Sequence, residues 1–328
     1  MEIRIKGLQG KNVVLQFPEG LRGQAYDIAK TLERRNHCKV LLLANPCYGA
    51  CDLPGESLLS TLNADILLHL GHLPFPRTPE KIGTTRLIFL AMKIDIDLDR
   101  MFKVLLTPEN IKHLGRDVGL ATTPQHIHHL SEVRARLKME GVNARGVKWG
   151  SRSITPGQVV GCSFRGAMRF KGSSILYFGT GRFHPLGLAL SSHVPVYQYD
   201  PEQGKLIEYA GEKDRFLRKR FAQIAMAQTA QRFGVLVSTK AGQCRINLAR
   251  NIQKVAERCG KDALLVIVDE VNPESLNYMK IDAWINTACP RIAIDDSERF
   301  TSPLLTPYEA MVALGIERWN KYRLDSFL

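Results

Sequence analysis

The chain has 328 residues, 45% of them hydrophobic and 23% charged, which are ordinary proportions for a soluble globular protein with room for about two domains. Lys and Arg outnumber Asp and Glu by 45 to 32, a formal net charge of +13; this favours an acidic partner surface, with a merely solvated basic surface as the plain alternative. No apolar run approaches the roughly 18 residues of a membrane span, and the N-terminus shows neither an apolar h-region nor a small-residue cleavage site. Seven cysteines, an odd number spread along the chain, do not make a disulfide framework, so a cytoplasmic protein with reduced thiols is expected. Zinc-finger spacing, RNA-recognition aromatics and heptads are all missing, and charge alone does not make a nucleic-acid binder.

In chain order, a strand is predicted over 13–17, followed by the turn Pro18-Glu19-Gly20 and a helical stripe Leu21, Ala25, Ile28, Ala29, Leu32. A second strand over 40–44 breaks at Asn45-Pro46 into a loop that carries Cys47 and Cys51. A third over 65–70 ends in Gly71-His72, and a fourth over 86–92 closes the first unit. The second unit follows a connecting helix near 108–115. It has a strand over 118–122, a helix presenting Ile127, Leu130, Val133 and Leu137, and a segment at 159–161 that delivers Cys162. Its strand over 174–178 ends in Gly179-Thr180-Gly181-Arg182-Phe183-His184, and its last strand covers 194–199. The third unit begins with a helix over 212–232, with Phe216, Leu217, Phe221, Ile224 and Ala225 as core face and Arg215, Arg218, Lys219 and Arg220 as a solvated basic cluster. Strands over 235–239, 264–268 and 283–288 follow, the last running into Cys289 and stopped by Pro290. Strands alternating with helices imply parallel sheets whose loops cluster at one edge. The shared plan reads as a threefold structural repeat of about 100 residues per unit.

Cys259, in the apolar stripe Leu248, Ile252, Val255, Ala256, and Cys38, just before a strand, read as core. Cys47, Cys51, Cys162, Cys244 and Cys289 remain, all near loops or turns. Cys51, Cys162 and Cys289 fall one in each unit. Three such thiolates could hold three irons of a [4Fe–4S] cube and leave the fourth iron open, whereas zinc would be left with an incomplete set. Spacing does not separate Cys51 from its neighbour Cys47, nor does it dismiss Cys244. The loop Gly179-Thr180-Gly181 is either a tight turn or a place where a ligand meets the backbone, with Arg182 available for a carboxylate. His184 is a base or a cap. His69 and His72 read as structural or rim residues, and His126, His128 and His129 as surface or cap residues.

Four motifs in order, Tyr48-Gly49-Ala50-Cys51-Asp52, Gly181-Arg182-Phe183-His184, Ala288-Cys289-Pro290-Arg291 and Leu305-Thr306-Pro307-Tyr308-Glu309-Ala310, resemble the catalytic subunit of diphthamide synthase, the 2-(3-amino-3-carboxypropyl)histidine synthase family of archaeal type. The resemblance runs from about Leu15 to Ala310. It implies an α/β fold of three tandem related domains (1–102, 103–208 and 209–328), each a small, mainly parallel four-stranded sheet flanked by helices, arranged around a central [4Fe–4S] cluster. Carried over residue by residue, it names Cys51, Cys162 and Cys289 as cluster ligands, in preference to Cys47 and Cys244. It further implies S-adenosylmethionine as substrate, cleaved at the bond from its sulfonium to Cγ by an electron from the reduced cluster. The resulting 3-amino-3-carboxypropyl radical would add to imidazole C2 of a histidine on elongation factor 2, with release of methylthioadenosine. The C-x3-C-x2-C loop of the common radical enzymes is not present. Gln16, Glu19, Gly179, Gly181, Arg182 and His184 are candidates for the S-adenosylmethionine pocket. A homodimer, a low-potential electron donor of unknown identity and no direct nucleic-acid binding are expected. The alternatives are a quinolinate-synthase-like [4Fe–4S] enzyme and a basic RNA-associated module without redox chemistry.

Overall fold

A computed structural model describes residues 5–319 together with Tyr322 and Leu324. The chain forms two compact units, one of residues 1–94 with Lys240–Gly242, the other of Asp95–Thr239 with residues 243–328. The first unit contains strands β1 (Asn12–Gln16), β2 (Lys39–Leu43), β3 (Ile66–Leu70), β4 (Lys81–Ile82) and β5 (Thr85–Leu90), ordered β2-β1-β3-β5-β4. Pairing is parallel throughout except for β4 on β5. The inner strand β3, Ile-Leu-Leu-His-Leu, is buried at every residue, as expected of a parallel strand covered on both faces. Ala25, Ile28, Ala29 and Leu32 of the helix Ala25–Asn36 pack on Val13, Leu15 and Leu68. Leu21 lies in a 3-10 turn, Glu19–Gln24, rather than in that helix.

The second unit holds two sheets. One comprises β6 (Asp117–Thr122), β7 (Asn143–Gly146), β8 (Ser174–Phe178), β9 (Val196–Asp200) and β10 (Lys205–Glu208), ordered β10-β9-β8-β6-β7, with only β10 antiparallel. The other comprises β11 (Arg232–Ser238), β12 (Asp262–Val268), β13 (Ala283–Asn286) and β14 (Leu304–Leu305), all parallel, ordered β12-β11-β13-β14. The fold is thus α/β, with repeated small sheets of four or five strands flanked by helices. The parallel core of each sheet has one order: second strand, first, third, fourth. Such an order reverses direction between the first and third strands, and ligands of α/β proteins gather beyond the carboxyl ends there.

Several expectations change. The first two sheets have five strands rather than four, because the short hairpin partners β4 and β10 add an antiparallel edge. Residues 159–161 make only an isolated bridge, Val160 to Ser163, and the second strand of that sheet is instead β7, whose Asn-Ala-Arg-Gly sequence carries little strand signal. The long helix is Ala210–Gln228, and Arg232 already belongs to β11. Phe221 is exposed. Arg220, placed in the solvated cluster, is buried: it donates to both carboxylate oxygens of Glu309 (2.7 and 2.5 Å) and to the carbonyls of Ala293 and Leu304. Cys289 does not follow the last strand of its sheet, since β14 comes after it.

Candidate metal centre

In the first unit, β1 delivers Gln16 to the carboxyl edge of the sheet, where its amide is fully engaged. Nε2 donates to the Asp52 carbonyl at 2.6 Å, and Oε1 lies 2.8 Å from His69 Nδ1. The loop after β2 is thereby fastened next to Cys51. Gly242, which counts with this unit, approaches the same point: its amide donates to the Cys51 carbonyl at 3.2 Å, and a side chain on it would collide with the Cys51 backbone. Asp52 is buried; its carboxylate accepts from Lys240 Nζ at 2.6 Å and from the Tyr48 amide at 3.2 Å. Lys240 also lies over the Tyr48 ring. Tyr48, Cys51 and Asp52 therefore belong to one rigid turn.

The same edge collects Cys47, His69 and His72, whose ligand atoms all lie within 4.8 Å of one another. Cys47 Sγ is 3.9 Å from His69 Nε2, which is 2.9 Å from His72 Nδ1. Burial pushes the Cys47 thiol up to about 12, and lowers His69 to about 3 and His72 to about 4, in both cases because a charged imidazole would lose its solvation. His69 is thus interior and His72 half-buried beside it, both neutral and hydrogen-bonded to each other, in line with a structural role. Gly71 between them has φ 80, and a Cβ there would strike Pro18.

In the second unit, Cys162 lies in the β7–β8 connection and is buried, with Arg152 Nη1 3.5 Å from its sulfur. Burial raises its thiol, and the positive charges of Arg152 and Arg245 counter that. Arg245 also donates to the carbonyls of Thr287 (2.6 Å) and Ala288 (3.0 Å), the two residues before Cys289. Asn286 completes the clamp: its Oδ1 accepts from the Ala288 amide and its Nδ2 donates to the Cys289 carbonyl. Arg245 therefore ties the Cys162 and Cys289 segments to one neighbourhood, and sequence reasoning had missed it. Phe183 packs directly on Gly161 and beneath the Arg291 guanidinium, which brings the 179–184 loop to the same place.

Within that loop, Gln198 Nε2 donates to the carbonyls of Gly179 (2.7 Å) and Gly181 (3.2 Å), while Gln198 Oε1 accepts from the Tyr209 hydroxyl. Gly181 has φ 78 and open space where a Cβ would stand. His184 stacks on Tyr177; burial, with the Arg291 charge behind it, lowers its imidazole to about 4. Arg182 is exposed and 3.8 Å from Glu212. Glu19 is also exposed, in an ion pair with Arg22. Cys244 is exposed, whereas Cys38 and Cys259 donate to carbonyls of Leu32 and Leu314 as small packed side chains. His128 and His129, read as surface or cap residues, share the carboxylate of Asp95.

These residues suit an iron–sulfur cluster on chemical grounds. None of the seven cysteines is in a disulfide, thiolates are the usual ligands of such clusters, and the Cys162 sulfur has cationic groups beside it that favour the thiolate. Among the described residues, neither group of three close metal-ligating side chains, Cys47-His69-His72 or Asp95-His128-His129, contains an expected cluster ligand.

The family model described as "Putative diphthamide synthesis protein" matches residues 17–323. The chain belongs to the diphthamide synthesis protein family. It is 37% identical over 324 residues to the 2-(3-amino-3-carboxypropyl)histidine synthase of Pyrococcus horikoshii, covering 99% of this chain and 91% of that one. It is 30% identical to subunit 1 of the synthase from Schizosaccharomyces pombe, covering 97% of this chain and 73% of the relative, and 30% identical to subunit 1 of the human synthase, covering 99% and 73%. The crystal structure of Dph2 from Pyrococcus horikoshii with a 4Fe-4S cluster superposes with a TM-score of 0.86 at 36% identity, covering 97% of this chain and 89% of that one. Membership in the diphthamide family sets aside the quinolinate-synthase-like and RNA-module readings.

Proposed function

We propose that this chain catalyses the first step of diphthamide biosynthesis. As a transferase, it moves the 3-amino-3-carboxypropyl group of S-adenosylmethionine to imidazole C2 of a histidine on elongation factor 2, and methylthioadenosine leaves. The observation that carries this is the full-length similarity to the Pyrococcus horikoshii synthase, in sequence and in fold. Cys51, Cys162 and Cys289 would each give one thiolate to a [4Fe–4S] cluster. When bound, the cluster supplies the electron that opens the sulfonium–Cγ bond.

The protein's own part is orientation and exclusion of water. Gln16 holds the Cys51 turn, and Arg245 with Asn286 holds the Cys289 turn. Gly179 and Gly181, fixed by Gln198, offer a backbone surface that a ligand can approach, and Arg182 supplies a guanidinium for the methionyl carboxylate. His184 stays neutral at physiological pH and so presents a hydrogen-bonding imidazole without charge. Glu19 completes the candidate set from the exposed turn after β1.

Three domains, 1–102, 103–208 and 209–328, each contain one sheet whole, although a boundary just before the helix Leu98–Leu105 would keep that helix intact. A homodimer is supported by the edge strands β2 and β12, which expose Leu41, Leu42, Leu264 and Ile267. Among the described residues no helix is long and apolar enough to cross a membrane, in keeping with a cytoplasmic enzyme. The net charge of +13 suits docking on an acidic face of the protein substrate. A low-potential electron donor completes the reaction.

The test is anaerobic incubation with S-adenosylmethionine, a reductant and elongation factor 2. Methylthioadenosine and a matching mass gain on one histidine are expected. Deoxyadenosine as the main nucleoside product refutes the proposed bond cleavage.

A further inference from the structure

We propose that Cys47, His69 and His72 form a mononuclear site for a borderline divalent cation, zinc being the type case, separate from Cys51, Cys162 and Cys289. Hydrogen-bond logic fixes the donor atoms. Gln16 must present its NH2 to the Asp52 carbonyl, because two oxygens would repel at 2.6 Å, so its Oε1 faces His69. His69 Nδ1 therefore carries the hydrogen, and Nε2 offers its lone pair toward Cys47 and His72. That arrangement, a ring nitrogen backed by an amide oxygen, is the one by which proteins set the tautomer of a ligating histidine.

Without a metal the triad has one donor too many. The Nδ1–H of His72 at 2.9 Å and the thiol of Cys47 at 3.9 Å both converge on the single lone pair of His69 Nε2. A divalent cation resolves the surplus. The Cys47 thiol releases its proton to solvent, the His72 hydrogen moves from Nδ1 to Nε2, and one thiolate with two neutral imidazoles faces the ion. One sulfur and two imidazole nitrogens make the donor set of an open zinc site, with a fourth position for water. The three ligand atoms already lie within 4.8 Å of one another, so small rotations suffice. Gly71, at φ 80, lets the chain turn sharply enough for His69 and His72 to converge. Gln16 makes the site consequential, because the amide that backs His69 also holds the residue after Cys51.

The test uses the full chain carrying Cys51→Ala, Cys162→Ala and Cys289→Ala together, so that no cluster assembles, and titrates it anaerobically with Co(II). One cobalt per chain is expected, with a thiolate charge-transfer band and tetrahedral d–d bands, displaced by Zn(II). Adding Cys47→Ser should abolish the thiolate band, and His72→Gln should weaken binding by about tenfold or more. Gln16→Ala should weaken it by about 10- to 100-fold, the usual effect of removing a partner behind a ligand. Circular dichroism separates loss of binding from loss of fold. If Cys47→Ser unfolds the chain, the partly exposed His72 decides. A parent that binds no cobalt, or a thiolate band unchanged by Cys47→Ser, overturns the site. Neither result touches the cluster assignment, which uses other cysteines.

Discussion

Two of the three thiols proposed for the cluster, those of Cys51 and Cys289, sit in turns fastened by hydrogen bonds to their backbone. Cys289 sits between the Asn286 side chain and the Arg245 clamp, and Cys51 between Gln16 and the Gly242 amide. Replacing Cys51, Cys162 or Cys289 by Ala should each strip or destabilise the cluster, measured as iron and sulfide per chain after anaerobic reconstitution. Cys259→Ala should leave iron content unchanged, because that sulfur only packs against the Leu314 carbonyl; iron lost there and retained in Cys162→Ala would reverse the assignment. Gln16→Leu strands two buried groups, the Asp52 carbonyl and the His69 Nδ1–H, at roughly 1–3 kcal/mol each. A lower urea midpoint with little change in slope is expected, together with weaker iron retention because the Cys51 turn loses its anchor.

At the scale of elements, the Leu305–Ala310 motif acquires a physical reason. Thr306 and Glu309 form a capping box on the helix Pro307–Ala313, and the same carboxylate receives Arg220 from the helix Ala210–Gln228. Both side chains are fully buried. Arg220→Ala would leave a buried charge without its partner and should cost about 3–5 kcal/mol, whereas Arg220→Met with Glu309→Leu should recover much of that loss. Thermal melts of the two variants decide it: equal destabilisation would mean that the pair itself, not the orphaned charge, carries the energy. This contact was not legible in the sequence, where Arg220 stands in a run of basic residues and nothing local marks one of them as inward. The strands β1, β3 and β8 were legible because their apolar runs are long and bounded by Gly or Pro. β7 was not, since Asn143–Gly146 becomes a strand only by pairing with β6. Cys51 and Cys162 both lie between second and third strands, and Cys289 after a third. Strand order alone does not single out Cys289; only its motif, through the family resemblance, proposes it as a ligand.

The whole molecule places several imidazoles where they must remain neutral, and its stability should record that. His69, His72 and His184 have folded values of about 3, 4 and 4 against an ordinary 6.5, in each case chiefly through burial. His129 is lowered as well, again first by burial. As pH falls below 6.5 the unfolded chain takes up protons at these positions and the folded chain does not, so unfolding is progressively favoured. Stability from this source is complete above about pH 6.5 and drains away between there and about pH 4. Carboxylates held low by ion pairs, such as Asp282 at about 2 beside Arg232, begin to contribute only once the unfolded carboxylates titrate, near pH 4. The interval from about pH 6.5 to about pH 4.5 therefore reports chiefly the histidines, with Asp296, raised by burial, acting in the opposite sense toward its acid end. Urea midpoints of the cluster-free chain should decline across that interval, and His184→Gln should lessen the decline while preserving a hydrogen-bonding side chain. A midpoint that stays level down to about pH 4.5 would mean that these rings accept protons in place, and that the edges of the sheets are wetter than their burial indicates.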